Sequence, residues 1–336
     1  MPARDEIGGT TTFVTGATGF LGGVLALTLA DRGARVRALV RTPDRGRFLR
    51  ERTGIEVVVG DITDRRRMTE LIAGCDYVFH CAVDTSGGLP NQRRVNVGGT
   101  RNVATAAADG GAARLLHVST IMVYGYPHGT VVTEEMGPAP SRRPYSITKA
   151  EAEEEVQGVG RARGLSFAIV RPGAIYGPRS WAWTAQMFRR ASRRPILWLG
   201  DARGNFPAIY VDDVADLCIR AALHPAAHNE TFNAVMDPAP TVREYLGAYA
   251  GLTGNRRWLR LPITPVVLLC HLLAAFAPRR HPARDLPDMA RLLHRCSRFS
   301  MDRARDLLGW ETEVPLEEGV ARCVPWLQEK GLLRSS

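Results

Sequence analysis

"TGATGFLGG", residues 15–23, sets Gly16, Gly19 and Gly22 in a GxxGxxG arrangement directly behind the apolar run "TTFVTG" (11–16). After it, "FLGGVLALTLADRG" (20–33) carries leucine and alanine at helical spacing and stops at Gly33. Such a turn has a physical logic. The first glycine permits a tight turn, the second lets the backbone approach a pyrophosphate, and the third brings helix and strand together. N–H groups freed at the helix start then face the phosphate charge. Glycine-rich turns are common by themselves, but a strand before and a helix after make dinucleotide binding the reading.

The pattern continues outward from this turn. "ARVRALVR" (34–41), "IEVVVGD" (55–61), "DYVFHCA" (76–82) and "ARLLHVST" (113–120) read as further strands, with helical segments near 64–73 and 93–109. Strand–helix alternation implies parallel strands joined by right-handed crossovers. The expected fold class is α/β: a Rossmann, doubly wound parallel sheet with a smaller, mostly helical C-terminal substrate domain. Residues 10–178 form the NAD(P)-binding part, with 207–235 returning to the sheet. Residues 179–206 and 236–333 form the substrate region, and 1–9 and 334–336 are flexible termini.

Bulk properties exclude several function classes. The 336 residues suffice for one large domain or two smaller ones, and 45 % hydrophobic content is ordinary for a globular chain. A net charge of +10 raises nucleic-acid binding, but the arginines are scattered and not interleaved with aromatics, so a solvated surface is expected instead. The start "MPARDEIGGT" lacks a signal-peptide pattern, so a cytoplasmic location is expected. Six cysteines show no CxxC pairing and no histidine at metal-ligand spacing; buried free thiols and no metal are expected. In "LPITPVVLLCHLLAAFAP" (261–278), fifteen residues, 263 to 277, lie between Pro262 and Pro278, short of the roughly 20 that cross a bilayer. A buried helix or a pocket wall is the first reading, with no integral span, and weak peripheral membrane contact is the alternative.

Cofactor choice depends on the end of the second strand. NAD-binding sheets carry an acid there, which holds the ribose 2′-hydroxyl. Here "ALVRTPDR" offers Val40 and then Arg41, with no carboxylate before Asp44. A guanidinium suits a phosphate. NADP(H) is therefore the preferred cofactor, with NAD(H) as the alternative.

A lysine marks the second half of the site. Of 44 basic residues only Lys149 and Lys330 are lysine, and Lys149 stands in "PYSITKAEAEE" (144–154), four after Tyr145. On a helix the two share a face. A phenol of pKa about 10 is a poor base at neutral pH, and a nearby ammonium favours its ionised form. A compact ammonium fits where an arginine fork would not.

With these residues the chain resembles the extended short-chain dehydrogenases/reductases, the NAD-dependent epimerase/dehydratase family. The resemblance rests on "TGATGFLG" (15–22), "GDITD" (60–64), "FHCA" (79–82), "NVGGTRNV" (96–103), "VSTIMVYG" (118–125), "YSITK" (145–149), "RPGAIYGP" (171–178) and "YVDDVA" (210–215). It implies an enzyme in which Tyr145 gives or takes a proton, Lys149 supports it, and Thr120 hydrogen-bonds the reacting oxygen with Ser119 as neighbour. It implies cofactor contacts at Gly16, Thr18, Gly19, Phe20, Leu21 and Arg41, and at Asp61 and Ile62 beside the adenine. Cys81 and Ala82 fall on the ribose side, Val83 is a further cofactor contact, and Pro172, Gly173, Ala174 and Ile175 lie at the nicotinamide. Asn96 is expected to stabilise the central helix, and Asp212 and Asp213 to cap a later one. A homodimer through residues 90–110 and 144–163 is implied as well.

Within this family the sugar-nucleotide dehydratases carry Asp-Glu after the threonine. Ile121 and Met122 stand here and cannot transfer protons. Aromatic "SWAWTAQMF" (180–188) and the 261–278 segment resemble the 3β-hydroxysteroid dehydrogenase and dihydroflavonol reductase branch. Ser119, Met122, Tyr176, Trp181 and Trp183 are the candidate substrate contacts. The expected function is an NADP(H)-dependent ketoreductase or alcohol dehydrogenase for a bulky, apolar substrate of steroid, flavonoid or polyketide type. The alternatives are a nucleotide-sugar epimerase with tightly bound NAD and a non-catalytic NADP(H) sensor.

Overall fold

The computed structural model describes residues 7–125, 127, 129–200, 202–276 and 297–334. Seven strands form one parallel sheet: β1 Thr11–Thr15, β2 Arg35–Val40, β3 Ile55–Val59, β4 Tyr77–His80, β5 Arg114–Val118, β6 Phe167–Pro172 and β7 Glu230–Ala234. Their order is β7-β6-β5-β4-β1-β2-β3. The chain runs outward from β1 to β3, returns to β4 on the other side of β1, and then runs outward again. That reversal between β1 and β4 is the point where open α/β sheets bind ligands.

Both faces of the sheet are covered, which is why its strands read as continuous apolar runs. Alternate side chains of β1 serve opposite cores. Val14 packs with Leu25, Leu29 and Leu217, from the helices Phe20–Asp31 and Val211–Leu223. Phe13 packs with Met68, Val103 and Val156, from the helices Arg65–Ile72, Gly99–Asp109 and Pro144–Arg163. The result is a three-layer sandwich. Strand pairing is in simple parallel register, for example Val14 opposite Ala38 and Phe79.

The remaining chain builds a smaller body at the carboxyl end of the sheet. Ala174–Tyr176 pairs with Ala208–Tyr210, and Ile196–Leu199 pairs with Trp258–Leu261. Val242–Gly251 begins with a capping box in which Thr241 and Glu244 satisfy each other's backbone N–H groups. Asp212 and Asp213 sit in the first turn of Val211–Leu223 without capping it. Asp213 instead accepts the backbone N–H groups of Glu313 and Val314, tying the C-terminal segment to the sheet layer. Burial there raises its carboxyl to about 6.

The helix Ile263–Phe276 has no buried residue. A buried helix or pocket wall was the first reading of this segment. It lies on the surface because no described element packs extensively against it. No described helix is long and apolar enough to cross a membrane. Cys75, Cys218 and Cys323 are buried free thiols, Cys81 and Cys270 are partly exposed, and Cys296 lies outside the described residues.

Candidate active site

The glycine turn is built as its chemistry requires. Gly16 has φ +68, and a Cβ there would stand 2.7 Å from the Ala82 nitrogen. A Cβ on Gly22 would overlap the Gly16 carbonyl oxygen, so the first helix can approach its strand only with glycine at that position. Gly19 opens the helix Phe20–Asp31 with no side-chain cap and no acid in the first turn. The first-turn N–H groups are therefore left for an anion.

That turn forms one wall of a cavity of about 350 Å³ at the switch point between β1 and β4. Gly16, Gly19, Phe20, Leu21, Cys81, Val83, Pro172, Gly173 and Ile175 line it, together with Thr120, Tyr145 and Lys149. Ser119, Trp181 and Trp183 line it too. Residues distant by up to 167 positions in sequence thus converge on one space, because parallel strands end side by side. A cradle closed to any side chain, free helix N–H groups and the Tyr145–Lys149 face beside them fit a nicotinamide dinucleotide.

Other expected residues stand elsewhere. Thr18, Ala82 and Ala174 do not line the cavity, although Ala82 lies directly against Gly16. Arg41 is exposed after β2 and adds to the lowering of the Asp84 carboxyl, whose main cause is hydrogen bonding to Ser86. Asp61 accepts from both the N–H and the hydroxyl of Thr63 at 2.8 Å, an Asx turn. Ile62 is buried against Gly99 of the central helix. Met122 is half-buried in the turn Ile121–Tyr124 and does not line the cavity. Tyr176 is corrected: its ring is fully buried in the core, edge-on to Tyr210 and Tyr245. Alternation along Ala174–Tyr176 turns it away from the face that Ile175 presents to the cavity.

The Tyr145–Lys149 pair differs from its expected electrostatics. The Tyr145 hydroxyl is raised rather than lowered, because burial outweighs its hydrogen bond with Thr120. Lys149 is 3 % exposed, and its ammonium donates to the Val118 carbonyl at 2.7 Å. It also lies 3.2 Å from His117 Nε2. Burial pushes Lys149 down to about 8, against the pull of Glu153 and Cys81. Cys81 itself is pushed up to about 12 and is no nucleophile.

A chain of hydrogen bonds behind the lysine fixes a histidine tautomer. Thr15 Oγ1 accepts the N–H groups of Cys81 and Ala82 at 3.1 Å and lies 2.7 Å from His80 Nδ1. The Thr100 hydroxyl donates to the Asn96 carbonyl, so it accepts from His80 Nε2, 2.8 Å away. His80 is then protonated on Nε2 and accepts the Thr15 hydroxyl on Nδ1. Its ring lies 5.3 Å from that of His117. Burial, then the neighbouring ammonium, lowers His80 to about 3 and pushes His117 well below its ordinary range. Neither imidazole was singled out from sequence. The usable signal is the strand period, since His117 and Ser119 share a face two residues apart. Asn96 bridges the Asp84 carbonyl and Thr148, tying loop to helix.

Two neutral buried histidines predict an acid-sensitive fold. Their unfolded pKa is about 6.5, so below that pH the unfolded chain binds protons the folded chain refuses, and stability falls as pH falls. Denaturant unfolding should lose about 2 kcal/mol between pH 6 and pH 5 from this pair alone. His80→Gln should lower that slope by roughly half, and an unchanged slope would refute the assignment.

Behind Trp183, buried Phe206 stacks on Tyr245 at 4.2 Å and meets the Trp183 ring edge-on at 5.6 Å, and neither Phe206 nor Tyr245 lines the cavity. The Tyr245 hydroxyl donates to the Trp183 carbonyl at 2.6 Å. Ser180 accepts the Trp183 N–H and opens the aromatic turn Trp181–Ala185. Trp181 is 49 % exposed, with the Arg189 guanidinium 4.8 Å above its ring. No group of three or more metal-ligating side chains occurs among the described residues.

Comparison with known proteins agrees with this geometry. The profile of the NAD dependent epimerase/dehydratase family matches residues 12–234. A "4-hydroxy-2-methyl-3-oxo-4-farnesyl-3,4-dihydroquinoline-1-oxide ketoreductase" of Stigmatella aurantiaca is 30% identical over 92% of this chain and 94% of its own. A UDP-glucose 4-epimerase of Mycolicibacterium smegmatis is 30% identical over 95% of this chain and 99% of its own. Among solved structures, the epimerase Mth375 of Methanothermobacter thermautotrophicus superposes with a TM-score of 0.77 at 23% identity, covering 98% of this chain and 95% of that one. The chain belongs to the NAD dependent epimerase/dehydratase family and is an oxidoreductase of the extended short-chain dehydrogenase/reductase type.

Proposed function

We propose that the protein is an NADP(H)-dependent ketoreductase or alcohol dehydrogenase acting on a bulky, apolar carbonyl or hydroxyl compound. One observation carries the reading: Thr120, Tyr145 and Lys149 line the same cavity as the glycine turn and the tryptophans Trp181 and Trp183. The bound nicotinamide supplies or takes the hydride. Tyr145 protonates the carbonyl oxygen in the reductive direction, and Thr120 orients both that oxygen and the phenol. Lys149, held by Val118 and His117, keeps a positive charge beside the phenol. The aromatic wall of Trp181 and Trp183 gives a greasy substrate area, with the Arg189 guanidinium against the Trp181 ring. The Stigmatella relative, named for a farnesylated ketone, supports this substrate class. A dimer through residues 90–110 and 144–163 remains the proposed assembly.

A second reading, a nucleotide-sugar epimerase, is favoured by the Mycolicibacterium relative. Purified protein mixed with NADPH and a panel of polycyclic and prenylated ketones should consume cofactor. Protein that retains NAD through purification and interconverts UDP-glucose without net cofactor oxidation would replace the first reading with the second. Tight NADPH binding with no turnover in either assay would leave the cofactor sensor.

Cofactor choice is tested separately. An Arg41–phosphate pair is a charge-assisted contact worth about 1.5–3 kcal/mol. Arg41→Ala should raise the KM for NADPH about 10- to 100-fold and leave that for NADH within threefold. Equal changes for both cofactors would remove Arg41 from the 2′-phosphate.

A further inference from the structure

Nearly every described helix hides its large apolar side chains, and Val211–Leu223 buries nine residues. Ile263–Phe276 hides none. Leu268, Leu269, Leu272, Leu273 and Phe276 are 62, 54, 51, 48 and 88 % exposed. At 3.6 residues per turn these five fall within one face about 140° wide. The preceding strand pair extends the same character, since Leu197 and Leu259 are register partners and both are exposed. An isolated apolar residue on a surface means nothing, but a contiguous stripe marks a docking surface.

Charge identifies the occupant. From residue 245 to residue 276 the chain contains no Asp or Glu, while Arg256, Arg257 and Arg260 stand just before the helix. Arg256, Arg257 and Arg260 are exposed at its start. A second copy docking isologously would bring two sets of these arginines together with no acid in the segment to pair them. An anionic lipid surface accepts both features, taking the apolar stripe below its headgroups and the guanidinium groups among them. The helix has 14 residues, about 21 Å, and so can lie in that interface but not span a bilayer.

We propose that the helix Ile263–Phe276 is an interfacial anchor that docks the protein, peripherally and reversibly, on anionic lipid bilayers. The arginines set the preference for anionic lipid, and the leucine–phenylalanine face sets the depth. The inference uses no assumption about substrate or cofactor. Its failure would leave the proposed oxidoreduction untouched, and failure of the oxidoreduction would leave it standing.

The test is flotation of the full chain with vesicles of phosphatidylglycerol and phosphatidylcholine, and with vesicles of phosphatidylcholine alone. Binding is expected to be at least tenfold stronger to the anionic vesicles and to weaken as salt is raised. Leu272→Glu with Phe276→Glu should cut partitioning at least tenfold while NADPH binding and the melting temperature stay unchanged. Arg256→Glu with Arg257→Glu should abolish the lipid preference. Failure of the wild-type chain to float with anionic vesicles at low salt overturns the proposal. So does a Leu272→Glu/Phe276→Glu protein that floats equally well. A wild-type dimer that this variant converts to monomer, with no vesicle binding, would assign the stripe to a second copy and overturn it too.

Discussion

Tyr145→Phe should retain nicotinamide cofactor binding and lose at least a hundredfold in kcat, the usual scale of a positioned general acid. The substitution removes one hydroxyl, whose described partner is the Thr120 side chain, and leaves the ring in place. Folding should therefore change little. The raised phenol suits the reductive direction, in which Tyr145 must arrive protonated. A proton donor of this kind is lost only as pH rises through its own pKa, above its ordinary value of about 10. Lys149 reaches its limit earlier, at about 8, so the fall of reductive kcat on the alkaline side should report the lysine. The measurement is a pH profile of NADPH oxidation for wild type and variant, with cofactor affinity determined by fluorescence titration. Turnover within fivefold of wild type in Tyr145→Phe would remove Tyr145 from the chemistry. Loss of cofactor affinity would make it a binding residue instead.

Strands β1 to β5 were legible because each is a short β-rich run in a strand–helix alternation. By contrast β6, followed by another strand, and β7, with the polar sequence ETFNA, were not singled out as strands. Parallel strands are buried on both faces, so their signal is dense. The glycine turn was legible for a steric reason: Gly16 and Gly22 stand where no side chain fits. Tyr145 and Lys149 followed from their four-residue spacing and from a lysine in an arginine-rich chain. What stayed hidden depends on contacts between distant segments. That His117 and the Val118 carbonyl hold the ammonium follows from the packing of β5 against the helix Pro144–Arg163, which spacing within either element does not reveal. Tyr176 was misplaced because its neighbour Ile175 faces the cavity and alternation sends the tyrosine the other way. The exposed helix was misread because an apolar run looks the same whether protein or lipid covers it.

Arg171→Met should destabilise the fold by about 3–5 kcal/mol, the loss expected when one member of a buried ion pair is removed. Its guanidinium is 3 % exposed and donates to both Glu153 carboxylate oxygens, at 3.0 and 2.6 Å. It also donates to the Tyr124 hydroxyl at 2.7 Å, which in turn donates to Asn233 Oδ1 at 2.8 Å. Removing the guanidinium strands a carboxylate that is 1 % exposed, and desolvation of that charge is the larger part of the loss. The double variant Arg171→Met/Glu153→Leu deletes both charges and should recover most of the stability. Its consequence for the site is separate. Glu153 lies one helical turn from Lys149 and holds that ammonium up against burial, so without it the lysine falls below about 8. The double variant should then fold nearly as well as wild type but lose its alkaline activity at lower pH. Denaturant unfolding and the kcat profile read these two effects independently. A single variant within 1 kcal/mol of wild type would show that the pair is not the strut of this layer. An unshifted alkaline limb in the folded double variant would show that the lysine's charge is set by its hydrogen bonds to Val118 and His117, and not by the field of the carboxylate one turn away.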